Sequence, residues 1–174
     1  VAARYPQSPI TESFRALRTS IDYYSVDNPL KTIVVTSPGP SEGKSLVLAN
    51  LAVVMAQAGR RVVIVDADMR RPMQHKLFKL VNDHGLSDAV MAAGADLSAY
   101  NHELDPIGFA VRGPHSAEQE ILEDLQPVEL GSLHIVTTGP RPPNPADLLA
   151  SRRMKALIED LKHQADVVLF DTPP

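Results

Sequence analysis

The sequence has no cysteine, which excludes disulfides and thiolate metal sites and fits a reducing compartment. It has no run of lysine and arginine either: 17 basic residues stand against 21 acidic ones, for a formal net charge of −4. That balance lacks the footprint of a nucleic-acid-binding protein, so no nucleic-acid partner is expected. Long hydrophobic runs are also missing. The longest apolar stretch, residues 46–58, contains Asn50 and Gln57 and is too short to span a bilayer. No signal-peptide pattern is visible. Six histidines, at positions 75, 84, 102, 115, 134 and 163, show no metal-ligand spacing and read as surface or loop residues. What remains is an ordinary globular composition over 174 residues, a single-domain length that can bury a real core.

The most informative stretch is Thr36-Ser37-Pro38-Gly39-Pro40-Ser41-Glu42-Gly43-Lys44-Ser45. Before it, Lys31 to Thr36 is a β-branched run with the pattern of a buried strand. After it, residues 46–57 are apolar, free of glycine and proline, and stop at Gly59, the pattern of a buried helix. Strand, loop, Gly-Lys-Ser and helix is the context of a P-loop, whose backbone N–H groups form a nest for phosphate oxygens. Ser41, Glu42, Gly43, Lys44, Ser45 and Leu46 are therefore the candidate nucleotide-contacting residues. Gly43 permits close backbone approach, Lys44 reaches the β/γ oxygens, and the Ser45 hydroxyl suits Mg²⁺. Two positions depart from the usual pattern: Pro38 stands where a glycine is expected, and Ser41 where many such loops carry glycine.

Two further strands end in carboxylates. Arg61 to Asp66 is β-branched and runs into Asp66-Ala67-Asp68-Met69-Arg70-Arg71-Pro72; Asp166 to Asp171 is apolar and ends at Asp171. Carboxylates released at the C-terminal ends of parallel strands lie where open α/β sheets place ligands. Asp66 and Asp68 are thus positioned for Mg²⁺ or for accepting a proton, and Asp66 could instead cap the next turn. Asp171 fits the Walker B pattern, holding Mg²⁺ through its water shell.

Elsewhere, residues 1–9 read as an extended arm. Ile10, Phe14, Leu17 and Ile21 form a helical stripe, with Ser8 and Pro9 as its start. Glu12, Arg15 and Arg18 share one side of that helix; by pattern they are a solvated charged edge, or else a docking edge for another subunit. Residues 74–80 and 85–90 read as short helices, 107–111 as a short strand and 117–125 as an acidic helix. Residues 133–137 are another strand. Asn144 is a candidate N-cap, with Pro145 in the first turn, for a helix over 146–163 jointed at Ser151-Arg152-Arg153. All 15 prolines fall outside the inferred strand centres and helix interiors. Alternating strands and helices predict a doubly wound, mostly parallel α/β sheet of the P-loop NTPase type.

Taken together, these motifs resemble the bacterial tyrosine kinases linked to capsular and exopolysaccharide export. The resemblance rests on Glu12-Ser13-Phe14-Arg15-Ala16-Leu17-Arg18, Ser41-Glu42-Gly43-Lys44-Ser45, Asp66 to Pro72, Gly85-Leu86-Ser87-Asp88, Pro142 to Leu149 and Phe170-Asp171-Thr172-Pro173-Pro174, in that family's order. It implies one kinase domain over residues 1–174, with an arm and docking helix (1–28) before the nucleotide core (29–174). The chain reads as an excerpt of a longer one, stopping after Walker B. The resemblance further implies ATP at Lys44, Mg²⁺ served by Ser45, Asp66 and Asp171, and a tyrosine deprotonated by Asp66 or Asp68, with Asp66 the preferred base. It implies a ring-like homo-oligomer docked through Glu12, Arg15 and Arg18, which favours the docking edge over the solvated one. Tyrosine-containing protein substrates, a transmembrane polysaccharide chain-length protein or domain as partner, and a place on the cytoplasmic face of the plasma membrane follow from it too. Two other functions compete. A partitioning or division-site ATPase would carry an additional lysine early in the loop, and Ser37-Pro38-Gly39-Pro40 has none. A non-catalytic interaction module would need no working carboxylates.

Overall fold

The computed structural model describes residues 2–91, 101–103 (backbone) and 133–174. The expected strand at 107–111 and the acidic helix at 117–125 lie outside the described residues. Elements in chain order are α1 (Pro9–Tyr24), β1 (Thr32–Val35), α2 (Lys44–Ala56), β2 (Val62–Asp66), α3 (Gln74–Leu77), α4 (Leu86–Met91), β3 (Asn101–Glu103), β4 (Leu133–Val136), α5 (Pro145–Leu149), α6 (Arg152–Gln164) and β5 (Val167–Asp171). Their sheet has the order β1-β5-β2-β4-β3. The first four of these are parallel, and β3 runs antiparallel to β4.

Side chains alternate across a strand, so each central strand feeds two cores. Val62, Ile64, Leu133, Ile135, Val167 and Leu169 face one cluster with α2. Val63, Val65, Val136, Val168 and Phe170 face the other, with Leu86, Met154, Leu157 and Leu161 from α4 and α6. Helices on both faces make the sheet doubly wound, as expected from the alternation.

β1 corrects the expectation of a buried strand. Among the described residues it pairs only with β5, and Thr32 and Val34 are exposed, Val34 at 60%. Among the described residues nothing covers its outer edge, and only Ile33 and Val35 reach the α2 core. The arm is also not extended. It turns back over α2, where Ala2 is fully buried and its N–H donates to Asn50 Oδ1 at 2.7 Å. Thr11, also fully buried, fixes that turn by donating its hydroxyl to the Tyr5 carbonyl at 2.7 Å. His75 and His134 lie in α3 and β4 and are half-buried, unlike surface or loop residues.

The helix starts follow local chemistry. Ser8 caps α1 through Thr11 N–H at 3.2 Å, with Pro9 at the first position. Ser151 caps α6 through Met154 N–H at 3.1 Å, so the predicted joint is a true break between α5 and α6. Asn144 sits at the α5 N-cap, but its side chain makes no capping bond. Gly85 has a packing requirement: an added Cβ would lie 2.2 Å from the Thr137 carbonyl oxygen. Only glycine lets residues 85–88 lie against the C-terminal end of β4, where Leu86 and Ser87 N–H groups bond the Thr137 and Thr138 carbonyls. Asn82 then holds the Gly139 backbone, accepting from its N–H at 2.9 Å. This anchors the proline-rich loop at the carboxyl edge of the sheet.

Candidate active site

Three chain segments meet at that edge because the register is parallel. Val35 pairs with Asp171, and Asp171 pairs with Asp66, so the loop after β1 and the carboxylates ending β5 and β2 sit at one level. Ala67 N–H donates to the Asp171 carbonyl at 2.8 Å, which keeps the two strand exits together. β5 lies between β1 and β2 although it comes last in sequence. The crevice above such a reversal of strand order is where open α/β sheets bind ligands.

The loop reaches α2 through two left-handed residues, Ser41 at φ 64° and Gly43 at φ 87°. A non-glycine residue there is uncommon and costs about 1 kcal/mol, so Ser41 holds a strained conformation that the local sequence pattern flags only as a missing glycine. Gly43 is the N-cap of α2 and supplies no capping side chain. The first-turn amides of Lys44, Ser45 and Leu46 are therefore left to an anion. Ser45 is buried just beneath them, whereas Leu46 is exposed at 45%.

Lys44 links the loop to the carboxylates. Its Nζ donates to Asp68 Oδ2 at 3.0 Å and lies 3.9 Å from Asp171 Oδ1. Asp66, Asp68 and Asp171 are all buried. Asp66 Oδ2 accepts the backbone N–H groups of Met73 (3.0 Å) and Gln74 (2.9 Å), so it does cap the next turn, in addition to any chemistry. Burial pushes the Asp66 carboxyl up to about 7, against the lowering effect of the Gln74 N–H, and the nearby Asp171 charge adds to the rise. Asp68 Oδ1 in turn accepts the Arg71 N–H at 3.0 Å.

One residue of this site goes unnoticed in sequence. Gln74 is fully buried, and its side-chain amide donates to the Ser45 carbonyl at 3.1 Å and to Asp171 Oδ2 at 2.8 Å. By sequence it is only the first residue of a short helix. Its 97-residue separation from Asp171 leaves no local signal.

The donor set suits a divalent cation. Asp68 and Asp171 converge on one lysine, and Asp66 Oδ1 and Asp171 Oδ1 are buried without a hydrogen-bond partner. Buried acceptors in surplus negative charge call for a cation or its waters. Among the described residues no three histidine, cysteine or acidic side chains form a metal cluster.

On α1 the three predicted docking residues separate. Glu12 and Arg15 pair with each other on the surface. Arg18 turns inward, donating from Nη1 to the Val54 carbonyl of α2 at 2.9 Å. Beside it, Arg60 pairs with Asp22 at 2.7 Å. Of the apolar stripe, Phe14 and Ile21 pack on the core, whereas Ile10 and Leu17 stay exposed.

Comparison with known proteins agrees with this geometry. Residues 33–170 match the CbiA family, the CobQ/CobB/MinD/ParA nucleotide-binding domain. The chain is 38% identical over all 174 residues to the tyrosine-protein kinase YwqD of Bacillus subtilis and spans 63% of that protein's length. The kinase domain of the Escherichia coli tyrosine kinase ETK superposes with a TM-score of 0.80 at 31% identity, covering 99% of this chain and 58% of that one. The septum site-determining protein MinD of Pyrococcus horikoshii, solved with Mg-ADP, aligns at a TM-score of 0.53 and 19% identity over 81% of this chain and 48% of its own, a likeness of fold alone. This chain thus spans less than two thirds of its curated relative, and no described helix is long and apolar enough to cross a membrane.

Proposed function

The chain belongs to the CobQ/CobB/MinD/ParA nucleotide-binding family, on the branch of the bacterial tyrosine kinases, and from that premise we propose that it is the catalytic core of an ATP-dependent protein-tyrosine kinase. The observation that carries the reading is the meeting of Lys44 with Asp68 and Asp171 directly after an uncapped P-loop helix, at one level of the sheet. The absence of a second lysine early in the loop weighs against a partitioning or division-site ATPase.

In this reading the amides of residues 43–46 hold the phosphates, and Lys44 neutralises charge that grows on the β/γ oxygens during transfer. Ser45, Asp66 and Asp171 would hold Mg²⁺, which would supply electrostatic relief to the transferring phosphoryl group. Asp66 takes the tyrosine proton. One of its oxygens is free of hydrogen bonds and so open to a proton. Asp68 is the weaker candidate because Lys44 already neutralises it. Since Asp66 has no exposed surface, a tyrosine hydroxyl reaches it directly only if the groups around it move.

The wider setting is proposed on the same family grounds. Residues 1–174 act as one kinase domain, and copies assemble as a ring-like homo-oligomer through the Glu12–Arg15 edge. The assembly works at the cytoplasmic face of the plasma membrane with a transmembrane polysaccharide chain-length protein or domain, on tyrosine-containing proteins. The test is to incubate the full-length protein and its Asp66→Asn variant with ATP and Mg²⁺ and to probe for phosphotyrosine. Phosphotyrosine in the wild type and its loss in the variant are expected. A silent wild type would overturn the kinase reading, and an active variant would move the base to Asp68.

A further inference from the structure

Building on that reading, we propose that Gln74 is a positioning residue: its side-chain amide binds the Asp171 carboxylate to the first turn of the P-loop helix, so that the second Asp171 oxygen is presented to the cation accompanying the nucleotide. Both donors of the amide are committed, one to the Ser45 carbonyl and one to Asp171 Oδ2, and the Gln74 backbone N–H is committed to Asp66 Oδ2. One residue thus ties the exits of β2 and β5 to the start of α2. Without it, a carboxylate turns about its last bond at little cost, and either oxygen can face inward. With Oδ2 held by the amide, Oδ1 is the oxygen on the Lys44 side, 3.9 Å from its Nζ and without a hydrogen bond.

A purely structural role explains the site poorly. The Gln74 Oε1 atom is buried with no hydrogen-bond partner. A buried carbonyl left without a donor is unfavourable, so the amide is present for its two donors rather than for packing. Gln74 Oε1 joins Asp66 Oδ1 and Asp171 Oδ1 as a third buried acceptor lacking a donor. Acceptors of this kind are suited to the waters of a hydrated cation. Partners that orient a metal-binding carboxylate in this way govern metal affinity even though they do not touch the metal.

The experiment measures ADP binding calorimetrically across a Mg²⁺ titration, and in excess EDTA, for the full-length wild type, Gln74→Met and Gln74→Asn. Methionine keeps the volume without a donor. Asparagine keeps the amide but is too short to hold both partners. For both variants the Mg²⁺ concentration giving half of the affinity gain should rise about 10- to 100-fold. ADP affinity in EDTA should stay within about twofold, because loop amides dominate phosphate contact. High Mg²⁺ should restore wild-type affinity, which a packing defect would not allow. An unchanged Mg²⁺ midpoint in either folded variant overturns the inference and leaves the kinase reading standing. Failure of Mg²⁺ to strengthen ADP binding in the wild type overturns both.

Discussion

The carboxyl edge of the sheet and the outer edge of α1 both carry acidic and basic side chains in contact, and their surroundings make them differ. At the sheet edge, Asp66, Asp68 and Asp171 are buried, the last two beside Lys44, and each unpaired oxygen is a cost the fold must meet. On α1, Glu12 and Arg15 pair in water, where such a pair contributes about 0–1 kcal/mol. Charge that is expensive to bury is informative about function; charge at the surface gains meaning only if a partner removes it from water.

The sharpest way to break this contrast is at the buried end. Lys44→Ala removes the side-chain cation that pairs with Asp68 and approaches Asp171. Lost stabilisation of transferring phosphate should lower the phosphorylation rate about 10²–10³-fold. Normal single-turnover rates in this variant would show that the lysine merely neutralises Asp68.

The next effect separates stability from activity. The Asp66 pKa is raised from 3.8 to about 7, so between these values the folded state holds a proton that the unfolded state has lost. Stability from this group is therefore full below pH 3.8 and is lost as pH rises, by up to about 1.4 kcal/mol per unit, levelling above pH 7. Asp66→Asn is neutral throughout and keeps an oxygen for the Met73 and Gln74 N–H groups. Its melting temperature should exceed that of the wild type, by a margin that widens from pH 5 to pH 7 and then levels. A margin independent of pH would mean that burial does not set the proton affinity of Asp66.

The smallest expected effect on the isolated fold belongs to α1. Glu12→Ala with Arg15→Ala should shift the stability of a single subunit by less than about 1 kcal/mol. If a neighbour desolvates this edge, each truncation costs about 2–5 kcal/mol of association, and ring closure multiplies the loss. Light scattering at matched concentration should then find assembled wild type and monomeric variant; equal masses would return the pair to a solvated edge. Arg18 is a poor choice for this test. It bonds the Val54 carbonyl, so its removal would loosen α1 from α2 whatever the assembly does.

Much was determined along the chain itself. β-Branched runs ending in aspartate, a glycine ahead of Lys44 and prolines at element boundaries are local signals, because strand and helix preferences act over a few residues. They locate the P-loop, Asp66, Asp68 and Asp171, and they predict the doubly wound sheet. Only the tertiary structure decided how exposed β1 is, since burial depends on which strands and helices lie against it. Only there do Arg18 turn to Val54 and the arm fold back onto Asn50. The strain at Ser41 and the position of Gln74 between Ser45 and Asp171 likewise depend on contacts between distant segments. A hydrogen bond spanning 97 residues is set by strand order and register, and these are properties of the packed whole.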